Sequence, residues 1–413
     1  MYLGVIADDI TGASDLASMV RRAGARVVLA FGVPEEAPPA ADVVVVATKT
    51  RQAEPEQAQA TAVAAARVLK AAGAAQLYFK YCSTFDSTDR GNIGPVTQAL
   101  LEMTGDGFTV TTPAYPELGR TVYNGHLFVG AQLLSESSMR DHPLTPMTDP
   151  DLVRVLGRQC GLKVGLVPLN DVSAGPDAVR AKFAALATSG IGVAILDAVG
   201  PGDLDTLAKV CADLPFVGGG AGLAGAIARA HSGMAAHAAA ATRLAGPIAC
   251  LSGSCSAATL EQVERLRAIT PSLRLDPLAL AEGPAALEDA VRWARETAQG
   301  GHLLIYSTAT SRGVGEMHAR LGREHAAALV ETAFGRIAAA LAAEGVRNFV
   351  VAGGETSGAV AEALGLKMMA LGEEIAPGVP WAHSLTPPGY TLAMKSGNFG
   401  GPDFFLRALE AAA

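Results

Sequence analysis

The N-terminal apolar run YLGVIA stops at Asp8 and Asp9, with Thr11 and Gly12 just behind them. Two adjacent carboxylates at a strand end offer either a proton-transferring acid or a helix cap that takes up free amide N–H groups. Neighbouring side chains on an extended chain point to opposite faces, so one of the pair faces a given ligand atom unless the strand has already turned. A second polar concentration, YFKYCSTFDSTDRGNIGPV from Tyr78 to Val96, holds Lys80, Ser83, Thr84, Asp86, Ser87, Thr88, Arg90 and Asn92. Cations suit a carboxylate, and Asp, Ser and Asn suit hydroxyls, which both donate and accept; the set fits a small polyhydroxylated acid. Read blandly, it is a polar loop opening a helix near Pro95. Lys80 favours the functional reading. It lies between Phe79 and Tyr81 in a strand that should be buried, where a charge without a partner is costly.

A third stretch, TTPAYPELGRTVYNGHLFVG, adds Tyr115, Arg120, Asn124 and His126. Arg120 is the best second cation for a substrate carboxylate, and His126 reads as a structural hydrogen-bonder. Gly220, Gly222 and Gly225 form a G-x-G-x-x-G, but no acidic residue follows at the distance a dinucleotide ribose needs. They read as a tight turn packing a helix on a sheet, which also speaks against a dehydrogenase. In the second half, NFVVAGGETSGAV places Gly353, Gly354, Glu355, Thr356 and Ser357 between a strand and a helix that opens near Thr356 or Ser357. Free amides and the positive helix end meet there, as a phosphate requires. LSGSCSAAT, with Ser252, Ser254 and Ser256, and KSGNFGGPDFF, with Gly397, Gly400 and Gly401, are two further small-residue loops. No G-x-x-x-x-G-K-[ST] occurs in the chain, which excludes the P-loop NTPases.

The elements that position these residues follow from the period of the apolar pattern. Short β-branched runs such as DVVVVA alternate with Ala-rich helical segments such as PEQAQATAVAAARVLKAAG, the signature of βαβ units and parallel sheets. The fold class is α/β, as two domains with largely parallel sheets. The seam is placed near Ala245, giving domains 1–245 and 246–413, and SESSMRDHPLTPMTDP, rich in Ser, Pro and Asp, reads as an excursion within the first. The chain has 413 residues, half of them hydrophobic and 17% charged, with a net charge of −8. That describes a core-forming protein without the positive footprint of a nucleic-acid binder. Five dispersed cysteines without a C-x-x-C pair indicate reduced thiols, neither a disulfide framework nor structural zinc. No signal peptide or membrane span is expected, and a cytoplasmic setting follows.

The motifs ADDITGASDLA, KYCSTFDSTDRGNIGPV, PAYPELGRTVYNGHLFV, HPLTPMTDPDLVRVL, AGLAG, GSCSAAT, GGETSGAV and KSGNFGGPDFF together resemble the four-carbon acid sugar kinases. The stretch from Cys82 to Asp86 looks like the branch acting on 3-oxo-tetronates, with threonate and erythronate kinases as the alternative. The resemblance covers essentially the whole chain. It implies an N-terminal domain for the sugar acid, a C-terminal domain for ATP, an active site in the cleft between them, and transfer of the γ-phosphoryl group to the terminal (C4) hydroxyl. On the sugar-acid side it implies Asp8, Asp9, Lys80, Asp86, Ser87, Arg90, Asn92 and Arg120. On the nucleotide side it implies Ser256, Gly353, Gly354, Glu355, Thr356, Ser357, Gly397 and Gly400. Asp8 is the expected acceptor of the hydroxyl proton, with Asp86 competing. ATP and Mg²⁺ are the expected cofactors; the metal's ligands are not readable, and homo-oligomerisation is left open. A sensor of sugar acid and nucleotide that has lost turnover is the reading from a different class.

Overall fold

The computed structural model describes residues 1–85, 88–141, 145–231, 244–309 and 311–410. Its contacts divide the chain into two compact units, Met1–Ala238 and Ala239–Ala413. Residues 232–243, which lie around that limit and just before the expected seam, fall outside the described residues, as do Asp86 and Ser87.

The strands of the first unit are β1 (Leu3–Ala7), β2 (Val27–Phe31), β3 (Val43–Ala47), β4 (Gln76–Lys80), β5 (Thr109–Thr112), β6 (Arg120–Tyr123), β7 (His126–Val129), β8 (Gln132–Leu133), β9 (Val164–Val167), β10 (Val193–Leu196) and β11 (Phe216–Gly219). The main run is β2-β3-β1-β4-β11-β5-β10-β9, and its pairs are parallel. The unbroken β-branched sequence of β3 is wholly buried, as befits a strand covered on both faces. The chain builds β2 and β3 on one side of β1, then crosses to place β4 on the other. Ligands of open α/β sheets sit outside the strand ends at such a reversal. Here Ala7 is in register with Ala47 on one side and Lys80 on the other, so Asp8, the Thr48–Arg51 loop and Lys80 emerge from adjacent strands.

Helix α1 (Ile10–Arg22) opens directly behind the aspartate pair, because the Asp9 carboxylate accepts the Gly12 N–H at 3.0 Å and closes the first turn. Helix α2 is Pro55–Ala71 and α3 is Ile93–Thr104, starting two residues before Pro95. The segment after β5 forms a small antiparallel meander, β6-β7-β8. Buried Asp197 anchors it by accepting the amides of Asn124 at 2.6 Å, Gly125 at 2.9 Å and Leu169 at 3.0 Å. The glycines of GGGAGLAG serve close packing: a Cβ on Gly222 would lie 2.5 Å from the Ala114 carbonyl oxygen, and one on Gly225 2.9 Å from the Met19 methyl of α1.

The second unit contains β12 (Ile248–Ser252), β13 (Ser272–Arg274), β14 (Leu303–Tyr306), β15 (Asn348–Ala352), β16 (Met368–Ala376), β17 (Val379–Ser384) and β18 (Thr391–Lys395). Their order is β13-β14-β12-β15-β18-β17-β16. The first five are parallel, and β17 runs antiparallel to both neighbours. Helix α4 (Ala257–Arg267) follows β12, and α5 (Gly354–Ala363) follows β15. The core gathers Ile248, Cys250, Val350, Ala393, Phe404 and Phe405. One described helix, Arg323–Ala343, is long and apolar enough by length and composition to cross a membrane. In this fold it packs on α5 and buries Ala333, Phe334, Ile337, Ala338 and Leu341.

Candidate functional site

In the first unit three strand ends deliver four charges to one place. Asp8 is 5% exposed, and its two oxygens accept Arg51 Nε at 2.9 Å and Arg51 Nη2 at 2.7 Å. The same Nη2 reaches Asp9 Oδ1 at 2.7 Å, so one guanidinium bridges both carboxylates. Asp9 also accepts the Thr11 hydroxyl at 2.7 Å. Buried Lys80 folds back to donate to the Tyr81 carbonyl at 2.7 Å. Gly12 lets both side chains close on α1, since a Cβ there would stand 2.9 Å from Lys80 Nζ and closer still to Asp9 Oδ1 and would displace these side-chain ends. Burial pushes the Asp8 carboxyl above its ordinary range, against the pull of Arg51. Burial acts upward on Asp9 as well, but Arg51, Lys80, the Thr11 hydroxyl and the Gly12 amide outweigh it and hold Asp9 below that range. Two carboxyls pushed apart in this way are suited to different tasks, the higher one to proton transfer.

The remaining residues expected on this side are placed variously. Asn92 spends its amide nitrogen on the carbonyls of Thr50 at 2.7 Å and Ala53 at 2.8 Å, which fixes the loop carrying Arg51, while its Oδ1 is buried without a partner. Arg90 is exposed, and the Arg120 guanidinium turns back to the Leu118 carbonyl. No described hydrogen bond or ion pair links either arginine to the aspartates. His126 bonds the Asn124 carbonyl at 2.8 Å, a structural role. Asp86 and Ser87 lie outside the described residues. Just before them, Phe85 stands at φ +54°, a region bulky side chains avoid, with its ring buried edge-on against Tyr81 at 5.4 Å.

In the second unit three loops knit together. Ser256 caps α4 by accepting the Thr259 amide at 3.2 Å, and its hydroxyl donates to the Gly397 carbonyl at 2.6 Å. Thr259 Oγ1 donates to the same carbonyl at 2.8 Å. The Gly353 amide donates to Lys395 O at 2.9 Å. Gly353 sits at φ +119° and ψ 135°, backbone open essentially to glycine alone, and this lets α5 begin at Gly354 directly off the strand. The Thr356 and Ser357 side chains are buried in the first turn of α5, and Glu355 is exposed. A Cβ on Gly397 would stand 2.5 Å from Ser254 Oγ. The inward side of these loops is a set of hydroxyl and amide donors joined by the buried ammonium of Lys395, a chemistry that fits phosphate oxygens. Among the described residues there is no cluster of three or more His, Cys, Asp or Glu side chains that could hold a metal ion.

Residues 3–227 match a sugar-binding N-terminal domain, and residues 249–405 match its companion, a nucleotide-binding C-terminal domain. A curated relative from Pseudomonas fluorescens, named 3-oxo-tetronate kinase, is 50% identical over 98% of this chain and 96% of its own length. The chain belongs to the four-carbon acid sugar kinase family. A second relative of the same name, from Burkholderia multivorans, is 50% identical over all of this chain and 98% of its own. A crystal structure from Salmonella typhimurium LT2, there provisionally named a tRNA synthase, is 41% identical, has a TM-score of 0.91 and matches over 98% of both chains. Within this kinase fold two cations escaped the reading of the sequence. Arg51 stands in TKTRQ, a polar loop after β3, more than forty positions from its aspartate partners, and only the pairing of β3 with β1 brings them together. Lys395 stands inside a motif that drew notice for its glycines.

Proposed function

We propose that this chain is an ATP-dependent 3-oxo-tetronate kinase that phosphorylates the terminal C4 hydroxyl of its four-carbon acid. The name is that of its relatives at 42–50% identity. The reading of the site rests on one observation, the Asp8–Asp9 pair bridged by Arg51 beside buried Lys80 at a sheet reversal. The C4 oxygen attacks the γ-phosphorus, the bond from that phosphorus to the β,γ-bridging oxygen breaks, ADP leaves, and the hydroxyl proton passes to Asp8. A carboxylate offers about four lone-pair sites, and Arg51 occupies two of those on Asp8, so proton acceptance does not require that bridge to break. Lys80, with Arg90 and Arg120, holds the substrate carboxylate. Asn92 Oδ1, and Asp86 and Ser87, which follow Phe85 in the sequence, are assigned to its hydroxyls, with Asp86 the competing base.

On the nucleotide side the amides of Gly354, Glu355 and Thr356, the Ser256 hydroxyl and the Gly397 and Gly400 turns are assigned to the ATP phosphates, while the Ser357 amide closes the first helical turn on the Gly353 carbonyl at 2.9 Å. Phosphoryl transfer asks for positioning and charge neutralisation more than for covalent chemistry. Mg²⁺, when bound, offsets phosphate charge and needs only one or two carboxylates beside phosphate oxygens, with Glu355 the nearest candidate on α5. The enzyme works in the cytoplasm. The test is a coupled assay of ADP formation over 3-oxo-tetronates, threonates and erythronates, with the phosphorylated carbon located by NMR. Fastest turnover on a 3-oxo-tetronate with a C4 ester supports the reading. Preference for threonate or erythronate moves the chain to a sister activity, and binding without ADP formation identifies a sensor.

A further inference from the structure

Lys395 closes β18 with 1% of its surface exposed. Its Nζ donates to Thr259 Oγ1 at 2.8 Å and to the Gly397 carbonyl at 3.1 Å, and lies 5.8 Å from the Phe404 ring centre. All of these partners are neutral. The charged residues on the elements around it are exposed: Glu261, Glu264, Arg265 and Arg267 on α4, Asp403, Arg407 and Glu410 about the C-terminal helix Phe404–Glu410, and Glu355 and Glu362 on α5. Arg265 takes Glu261 and Asp403, and Arg267 takes Glu264. On the neighbouring strand β17, His383 turns to Thr391. Among the described residues Lys395 has no ion pair. A buried ammonium left in this state is costly, and burial pushes its pKa down to about 8.

The hydrogen bonds around it are also out of balance. The Gly397 carbonyl accepts from Ser256 Oγ, Thr259 Oγ1 and Lys395 Nζ, with Thr259 Oγ1 at 3.1 Å a second acceptor for Ser256, and among the described residues Lys395 has acceptors for two of its three ammonium protons. A negatively charged oxygen arriving at this turn would take up the surplus and complete the missing counter-charge. We propose that Lys395 is a positioning residue for the nucleotide: its ammonium stands behind the Ser256–Gly397 turn as the fixed counter-charge of the polyphosphate, so that nucleotide binding is coupled to proton uptake by this side chain. The proposal deepens the nucleotide reading above and rests on it. A lysine that merely latched α4 to the C-terminal loop would hold the same bonds but would not change its protonation with ligand.

The decisive measurement uses the full wild-type chain. MgADP is titrated calorimetrically at pH 8 in buffers of different ionisation enthalpy, where an ammonium with a pKa of about 8 is half deprotonated before binding. The expected uptake is about half a proton per nucleotide, fading towards zero near pH 6.5, where the group is already charged. Lys395→Met should bind MgADP roughly tenfold or more weakly and without uptake. Lys395→Arg, always charged, should recover affinity, also without uptake. Absence of uptake in the wild type, or uptake that persists in Lys395→Met, overturns the proposal. Failure of the wild type to bind MgADP at all overturns the nucleotide reading along with it, and that outcome is distinguished by the absence of any binding heat.

Discussion

Before any ligand arrives, the two candidate sites differ in how their charges are met. In the first unit Asp8 and Asp9 are answered by Arg51 and Lys80, two charges of each sign in one network. In the second, the partners of Lys395 among the described residues are a hydroxyl, a carbonyl and a ring face. A compensated network holds its side chains in place whether or not substrate is present, which suits a site that has to orient one hydroxyl. A site with surplus donors gains most from an anion, which suits a polyphosphate.

The largest effect is expected at Asp8. Asp8→Asn should lower kcat by roughly 10²–10⁴-fold while leaving the MgADP dissociation constant within about twofold of wild type, read by steady-state kinetics and calorimetry. Retained turnover would pass the base to Asp86. Because the base must be ionised and burial holds Asp8 above the ordinary carboxylate range, kcat/KM of the wild type should fall with decreasing pH sooner than for an ordinary carboxylate.

Opposite effects on stability should separate the two cations. Arg51→Met strands two carboxylates, of which Asp8 is 7% and Asp9 25% exposed in its side chain, and should cost about 3 kcal/mol in denaturant unfolding at pH 7. That deficit should shrink as pH is lowered, because Arg51 pulls both carboxyl pKa values down in the wild type, and its contribution is lost once the carboxyls protonate. Lys395→Met should leave the ligand-free Tm unchanged or higher, since a depressed lysine pKa means the unfolded chain binds the proton more tightly than the folded one. A large loss of Tm in Lys395→Met would make the second network as self-sufficient as the first.

Smaller effects sharpen the boundary between the sites. Gly353→Ala places a Cβ at φ +119°, at a cost of about 1–3 kcal/mol. It should raise the KM for ATP by about tenfold with the sugar-acid KM unchanged; equal rises in both would indicate general unfolding. Asp89→Asn loses only an exposed pair with Arg158, at 2.8 Å. It should change stability by less than about 0.5 kcal/mol and leave kcat as it is.

What the sequence disclosed followed from local rules. A β-branched run ending in two aspartates, and a lysine set between aromatics, sit at β1 and β4 as strand-end reasoning expects. The cap expected of one aspartate is Asp9 on α1, while Arg51 bonds both Asp8 and Asp9. Arg51 was hidden because its meaning depends on β3 lying beside β1. The antiparallel arm β16–β17 was hidden for a different reason. Its register shifts around Glu374 interrupt the alternation by which a strand announces itself. Asn92 was recognised as a polar contributor, but its commitment to the carbonyls of the Arg51 loop is a tertiary fact.

Phe85 has a consequence for how this stretch tolerates change. Its backbone angle favours glycine, yet glycine would leave an aromatic-sized hole beside Tyr81, and smaller side chains would keep the strain without filling the space. Losing or gaining one residue between Tyr81 and Phe85 would swing the ring out of its slot and bring a polar neighbour in. Changes of length between Tyr81 and Phe85 should therefore be poorly tolerated.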